Sequence, residues 1–208
     1  MGRMLGCRGR ARAGWRPGDQ VLVDLQRRNT HLDDGVIVID PLTGAMIESS
    51  RGIELGPPKT AESARTITLP PFLIRLLRAH LARHDHPHVF TSHRGEPHRR
   101  SNFGRRALRP ATEGTGYLAA PPVRLEPAKP GLTFHGLRHS HKTWMIADGV
   151  PEVAQSRRLG HILGDRIQET YSHVAAEVEH RLLQGLQDRW DKAVADSRVQ
   201  PAWREAVT

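Results

Sequence analysis

Between Leu132 and Val174 the chain places His135, Arg138, His161 and Tyr171, four side chains that together can handle a phosphate ester without a metal. Histidine moves protons near neutral pH. Arginine offers a planar fork of donors that matches two phosphate oxygens. Tyrosine supplies a phenol that becomes a nucleophile once a neighbouring group takes its proton. His135 and Arg138 are three positions apart, so on a helix they share one face and can reach the same anion. His161 follows Gly160, in a turn where a side chain can point into a cleft. The chemistry such a set can carry out is cleavage of a nucleic-acid strand through a covalent link to the protein.

These residues need helices and turns to hold them. The pattern predicts a helix from His135 to Asp148 closed by Gly149, and another opened by Pro151 that runs to about Leu159. Pro70-Pro71 opens a helix whose Leu73, Leu76, Leu77 and Leu81 recur at helical spacing. Ser101 to Arg109 reads as a basic helix, initiated by Ser101 or Asn102 and stopped near Pro110. Gly114 to Gly131 reads as a long loop. From about Ala175 to Val194, an apolar stripe of Val178, Leu182, Leu186, Trp190 and Val194 reads as core packing, with Trp144 and Met145 as further core residues.

Val36–Ile39, Ile53–Leu55 and Ala64–Leu69 read as short strands. The expected fold is therefore α+β, a mainly helical domain with a small three-stranded antiparallel sheet. Residues 1–30 read as a frayed or degenerate start, 31–195 as the domain and 196–208 as a tail.

A formal charge of +9 points to a polyanionic partner, with nucleic acid the default. The excess is local, because Arg75 to Arg109 carries nine arginines against Asp85 and Glu96, a net of +7. Arg99, Arg100, Arg105 and Arg106 are the candidates for contacts to the phosphate backbone. A single cysteine, Cys7, rules out an internal disulfide framework and suits a reducing cytosol. With no long apolar run and no cleavable leader, the expectation is a cytoplasmic, nucleoid-associated protein that does not engage a membrane.

Leu137-Arg138-His139-Ser140, Leu159-Gly160-His161 and Thr170-Tyr171-Ser172-His173-Val174 resemble, in order and spacing, the signature boxes of the tyrosine recombinases, the phage integrase family. The likeness covers about residues 30 to 190. It extends to Pro58 through Pro70, which is similar to the hairpin that carries the catalytic lysine of integrases, so that Lys59 matches this lysine. Gly6 through Asp19 aligns with the segment that carries a further catalytic arginine, which falls on Arg8, with Ala11 where the family has glutamate.

The resemblance implies a catalytic domain in which Tyr171 attacks a DNA phosphodiester to leave a 3′-phosphotyrosine and a free 5′-hydroxyl. Arg138 and His161 would stabilise the transition state, His135 would assist proton transfer, and Lys59 would protonate the leaving 5′-oxygen. It also implies double-stranded DNA as the partner, self-association on that DNA, and no metal or nucleotide cofactor. The family's N-terminal DNA-binding domains have no counterpart ahead of Met1, which reads as a truncated form.

Three other readings compete. A non-catalytic DNA-binding remnant would keep the charge without the chemistry, and a type IB topoisomerase would use the same chemistry to relax supercoils. A metal site would draw on His135 and His139, four apart, or on clustered His84, His86, His88, His93 and His98. Gly136 stands where a zincin-like site wants glutamate, and Arg138 would repel a cation.

Overall fold

The computed structural model describes residues 20–23, 25–49, 52–92, 94–116, 124–161 and 176–196. Six strands come first: β1 (Gln20–Val23), β2 (Thr30–His31), β3 (Val36–Ile39), β4 (Ala45–Ser49), β5 (Gly52–Gly56) and β6 (Arg65–Thr68). Helix α1 (Pro71–Leu81) follows, then α2 (Arg100–Phe103) and α3 (Arg109–Glu113), and then α4 (Phe134–Ala147), α5 (Glu152–Leu159) and α6 (Ala176–Asp196). The α+β class and its helical bias match the expectation.

The strands form two antiparallel sheets of three, ordered β1-β4-β5 and β2-β3-β6. The three expected strands are all present, and β1, β2 and β4 join them. β3 pairs with β6, Val36 opposite Thr68 and Ile39 opposite Arg65. β5 pairs instead with β4, Ala45 opposite Gly56. Consequently β5 and β6 lie in different sheets, and the segment with Lys59 is a connection between sheets, not the tip of a hairpin.

Helix α1 lies on the second sheet. Leu77 and Leu81 bury with Leu69 and Val89, and Leu73, Ile74 and Ile37 pack against them. Of the apolar stripe read from the sequence, Leu73, Leu77 and Leu81 face this core, with Ile74 beside them.

A second core joins α4, α5 and α6. Met145, Val150, Ala154, Leu159 and Leu182 are buried together, flanked by Val178, Leu183 and Leu186. The stripe on α6 thus packs within its own chain, and Trp190 extends it by stacking on Phe72 of α1 at 4.6 Å. Trp144 departs from the expected core position. It is 43% exposed, and the Arg189 guanidinium lies 5.7 Å from its ring. Arg189 also holds Asp148, Nη2 to Oδ1 at 2.5 Å, pinning α6 to the end of α4.

The basic helix does not stop at Pro110. Between α2 and α3 the chain makes a π-helical turn, Gly104–Leu108, in which Arg109 N–H donates to Gly104 C=O. The wider turn removes the clash a proline makes with the preceding α-turn, and Pro110 has no N–H to satisfy. The helix then runs to Glu113 and ends at Gly114.

Candidate active site

Helix α4 begins at a threonine cap. Thr133 Oγ1 accepts from Gly136 N–H at 3.0 Å, satisfying one of the orphan donors of the first turn. This fixes the phase of the helix, so Arg138, His141, Lys142 and Met145 follow at i, i+3, i+4 and i+7 along one side. Met145 enters the core at 1% exposure, which orients the polar members of the same stripe beside it.

Helix α5 ends in a Schellman motif. Gly160 takes a left-handed conformation, φ +67°, that glycine adopts without strain. Its N–H donates to Arg157 C=O at 3.2 Å, and His161 N–H donates to Ser156 C=O at 2.9 Å. Two of the four carbonyls at the helix end are thereby satisfied, and those of Arg158 and Leu159 remain. Arg65 Nε donates to the first at 3.1 Å, and Arg138 Nη2 donates to the second at 2.5 Å. The end of α5 therefore gathers Arg65 from β6, Arg138 from α4 and His161 at one place.

Strand β6 and α5 are clasped in both directions. Arg158 Nη1 donates back to Thr68 C=O, and Thr68 Oγ1 donates to Glu179 Oε1 on α6 at 2.6 Å. Burial pushes the Arg65 and Arg158 guanidiniums down to about 10, with Arg138 adding to the effect on Arg65, so both stay charged at neutral pH.

The field at this place is positive. Desolvation lowers the His161 pKa, and Arg138, Lys142 and Arg65 lower it further. His141, one turn beyond Arg138, is pushed down to about 4 by burial, then by Arg158 and Arg138. Both imidazoles are thus held neutral at pH 7, able to accept a proton or hydrogen bond beside a concentration of cationic charge. Such a cradle suits an anion with charge spread over several oxygens.

Residues 13–177 match the phage integrase family. The chain belongs to this family. The Tn1549 transposon integrase, solved in complex with a circular-intermediate DNA, is similar in fold with a TM-score of 0.53 at 16% identity, over 78% of this chain and 52% of that one. A second structure of that integrase, with another circular-intermediate DNA, gives 0.53 at 16% identity over 78% and 53%. This chain therefore spans about half the length of the integrase structures it matches. No curated protein sequence matches it.

Among the integrase-type residues read from the sequence, Arg138 and His161 are brought together. His135 sits exposed in the first turn of α4, its ring meeting that of His139 edge-on at 4.4 Å. It also borders an open groove of about 470 Å³ whose other wall includes Arg100, Leu108 and Arg109. Lys59 is exposed in the connection between β5 and β6. Tyr171 and Arg8 lie outside the described residues. Arg99, Arg100, Arg105 and Arg106 are all exposed along the helix that carries the π-turn.

Arg65, Arg158, His141 and Lys142 belong to the same place, and sequence reasoning did not single them out. The spacing of His141 and Lys142 after Arg138 is the one signal that could have found any of them. Of the clustered histidines, His84 and His86 stack on each other, and His84 meets edge-on His80 of α1, whose Nε2 lies 2.7 Å from Val89 C=O. Among the described residues no three metal-ligating side chains converge, and no helix is long and apolar enough to cross a membrane.

Proposed function

We propose that this chain is the catalytic part of a site-specific DNA recombinase, which breaks and rejoins strands through a 3′-phosphotyrosine. The observation that carries the reading is the convergence of Arg138 and His161 at the end of α5, in a field made positive by Arg65 and Lys142. In the reaction, the Tyr171 oxygen bonds to phosphorus and the bond to the 5′-oxygen breaks. His135 assists the phenol in giving up its proton, and Lys59 supplies a proton to the departing 5′-oxygen. Arg138 and His161 hold the nonbridging oxygens as charge builds on them. Arg8 adds a second family arginine to this set.

Strand exchange runs the same steps backwards with a different 5′-hydroxyl. The phosphotyrosine conserves the bond energy, so the chemistry needs no metal or nucleotide. Arg99, Arg100, Arg105 and Arg106 contact the phosphate backbone of the duplex and position the protein without reading sequence. That the structurally similar Tn1549 integrase was solved on DNA supports this partner. Residues 31–195 form the working unit, which self-associates on DNA in the cytoplasm.

The deciding experiment incubates the protein with a nicked suicide duplex bearing a candidate attachment site, followed by denaturing electrophoresis. A covalent adduct that disappears in Tyr171→Phe while DNA binding persists is the expected result. Cleavage by Tyr171→Phe would defeat the assignment. DNA retention without any adduct would favour a binding module, and relaxation of supercoils without joining of two sites would favour a topoisomerase.

A further inference from the structure

Arg65 stands at the same helix end as Arg138 and His161 and has no part in the reaction just described. Its Nε donates to Arg158 C=O at 3.1 Å and its Nη1 to Ser63 C=O at 2.8 Å. Arg138 donates to Leu159 C=O, the next carbonyl along the chain. Two guanidiniums from different elements thus occupy successive carbonyls, on residues whose Cα atoms are about 3.8 Å apart. The Schellman turn accounts for why these two carbonyls are open, and the partial negative charge of a helix C-terminus accounts for why two cations can be held there side by side.

The anchoring bonds of Arg65 use two of the five N–H groups a guanidinium carries. Among the described residues, the charged groups acting on Arg65 and on His161 are all cationic: Arg138 on the first; Arg138, Lys142 and Arg65 on the second. Glu179 is directed elsewhere, to Thr68 and the charge of Arg158. Among the described residues, no anionic group acts on Arg65 or on His161.

We propose that Arg65 is a further arginine of the phosphate site, holding a nonbridging oxygen of the phosphodiester beside Arg138. This rests on the reading that Arg138 and His161 bind the reacting phosphate. Arg65 moves no proton and makes no covalent bond. Its contribution is a fixed positive charge, placed before the substrate arrives by bonds to backbone carbonyls.

The test uses orthovanadate as the probe, a phosphate-like anion whose binding to the full chain is followed by ⁵¹V NMR without any need for strand cleavage. Arg65→Gln should weaken vanadate binding about tenfold or more, the effect of losing one charge-assisted hydrogen bond. Arg65→Lys, which keeps the charge but not the two anchoring bonds, should recover only part of that loss. Thermal unfolding monitored alongside confirms that each variant is folded.

Unchanged vanadate affinity in Arg65→Gln, or no vanadate binding by the parent chain, would overturn the proposal. So would equal weakening in the Gln and Lys variants, which would mark Arg65 as only a clamp between β6 and α5. The suicide-duplex assay separates this from the reading it rests on. Loss of Arg65-dependent vanadate binding with a Tyr171-dependent adduct intact refutes Arg65 alone. Arg65-dependent vanadate binding with no adduct refutes strand cleavage and leaves Arg65 in an anion site.

Discussion

Thr68 Oγ1 lies 2.6 Å from Glu179 Oε1, tying strand β6 to the first turn of α6. The same carboxylate favours the charge on Arg158, whose guanidinium reaches Thr68 C=O from α5. One acidic group therefore anchors α6 to the two elements that hold Arg65. The chain that leads into α6 includes Tyr171, five residues before Ala176. In the proposed reaction Tyr171 is the nucleophile, so weakening the docking of this helix is expected to lower adduct formation.

Glu179→Gln tests this link while keeping the side-chain size. Because Glu179 is exposed, the loss of folding stability should be only roughly 0.5–1 kcal/mol. Adduct formation should fall further, about tenfold, because placement of the nucleophile depends on more than helix stability. Urea unfolding and single-turnover adduct kinetics, run on the same samples, compare the two. An adduct rate that tracks the small stability loss would show that the docking does not reach the chemistry.

Arg138→Lys should be far more severe. Arg138 both donates to Leu159 C=O and, in the proposed reaction, grips the phosphate, and a single ammonium lacks the planar fork for both tasks. Adduct formation should drop by roughly 100-fold or more, the scale of removing a preorganised donor to developing charge. Duplex affinity, measured by fluorescence anisotropy, should change only a few-fold. A fully active Arg138→Lys protein would remove Arg138 from the site.

Much of this arrangement was legible in the sequence, for identifiable reasons. Spacing of three and four residues marked the helices, so the helix that carries His135 and Arg138, and the core-facing Leu73, Leu77 and Leu81 of α1, were legible before the fold. Gly149 signalled the end of α4. The sheets were harder, since β1 and β4 pair across more than twenty residues and short strands carry little periodicity of their own. Arg65 was out of reach because its partner, Arg158, is 93 positions away. Pro110 misled because a proline is a stop only for an α-turn, and the turn ahead of it is wider.

His141 gives a pH dependence whose sign is fixed by its surroundings. Its pKa falls from 6.5 to about 4 on folding, through burial first and the charges of Arg158 and Arg138 second. Between those values the unfolded chain binds the proton and the folded chain does not, so stability is fully present above pH 6.5 and is lost as pH falls towards 4. Over that window the parent chain should lose roughly 1–3 kcal/mol more than His141→Asn, allowing for partial exposure of the ring. Parallel stability profiles for the two proteins would rule out His141 as the source.

The basic helix makes a prediction that is independent of the chemistry. Arg105 and Arg106 are exposed on the π-turn, and each that contacts a phosphate releases counterions on binding. Replacing both with alanine should weaken DNA binding for all sequences alike and lower the salt-dependence slope by about 2. Titrations at several salt concentrations, on two unrelated duplexes, read both quantities. An unchanged slope would place the duplex on another face.

Gly160 joins the fold to the site most directly, because its left-handed conformation turns the chain from α5 into His161. An L-residue with a side chain pays a steric penalty at φ +67°, so Gly160→Ala should cost roughly 1–2 kcal/mol of stability. The larger effect should be on function. Relaxing that strain disturbs the bonds from His161 N–H to Ser156 and from Gly160 N–H to Arg157, and with them the register of the carbonyls that hold Arg65 and Arg138. Vanadate affinity and adduct formation should therefore both fall in Gly160→Ala, more steeply than in a variant of equal stability whose substitution lies away from α4, α5 and α6. Gly160→Asn, which tolerates the left-handed region better, should recover part of both. Equal behaviour of the Ala variant and the stability-matched control would mean that the turn serves the fold alone.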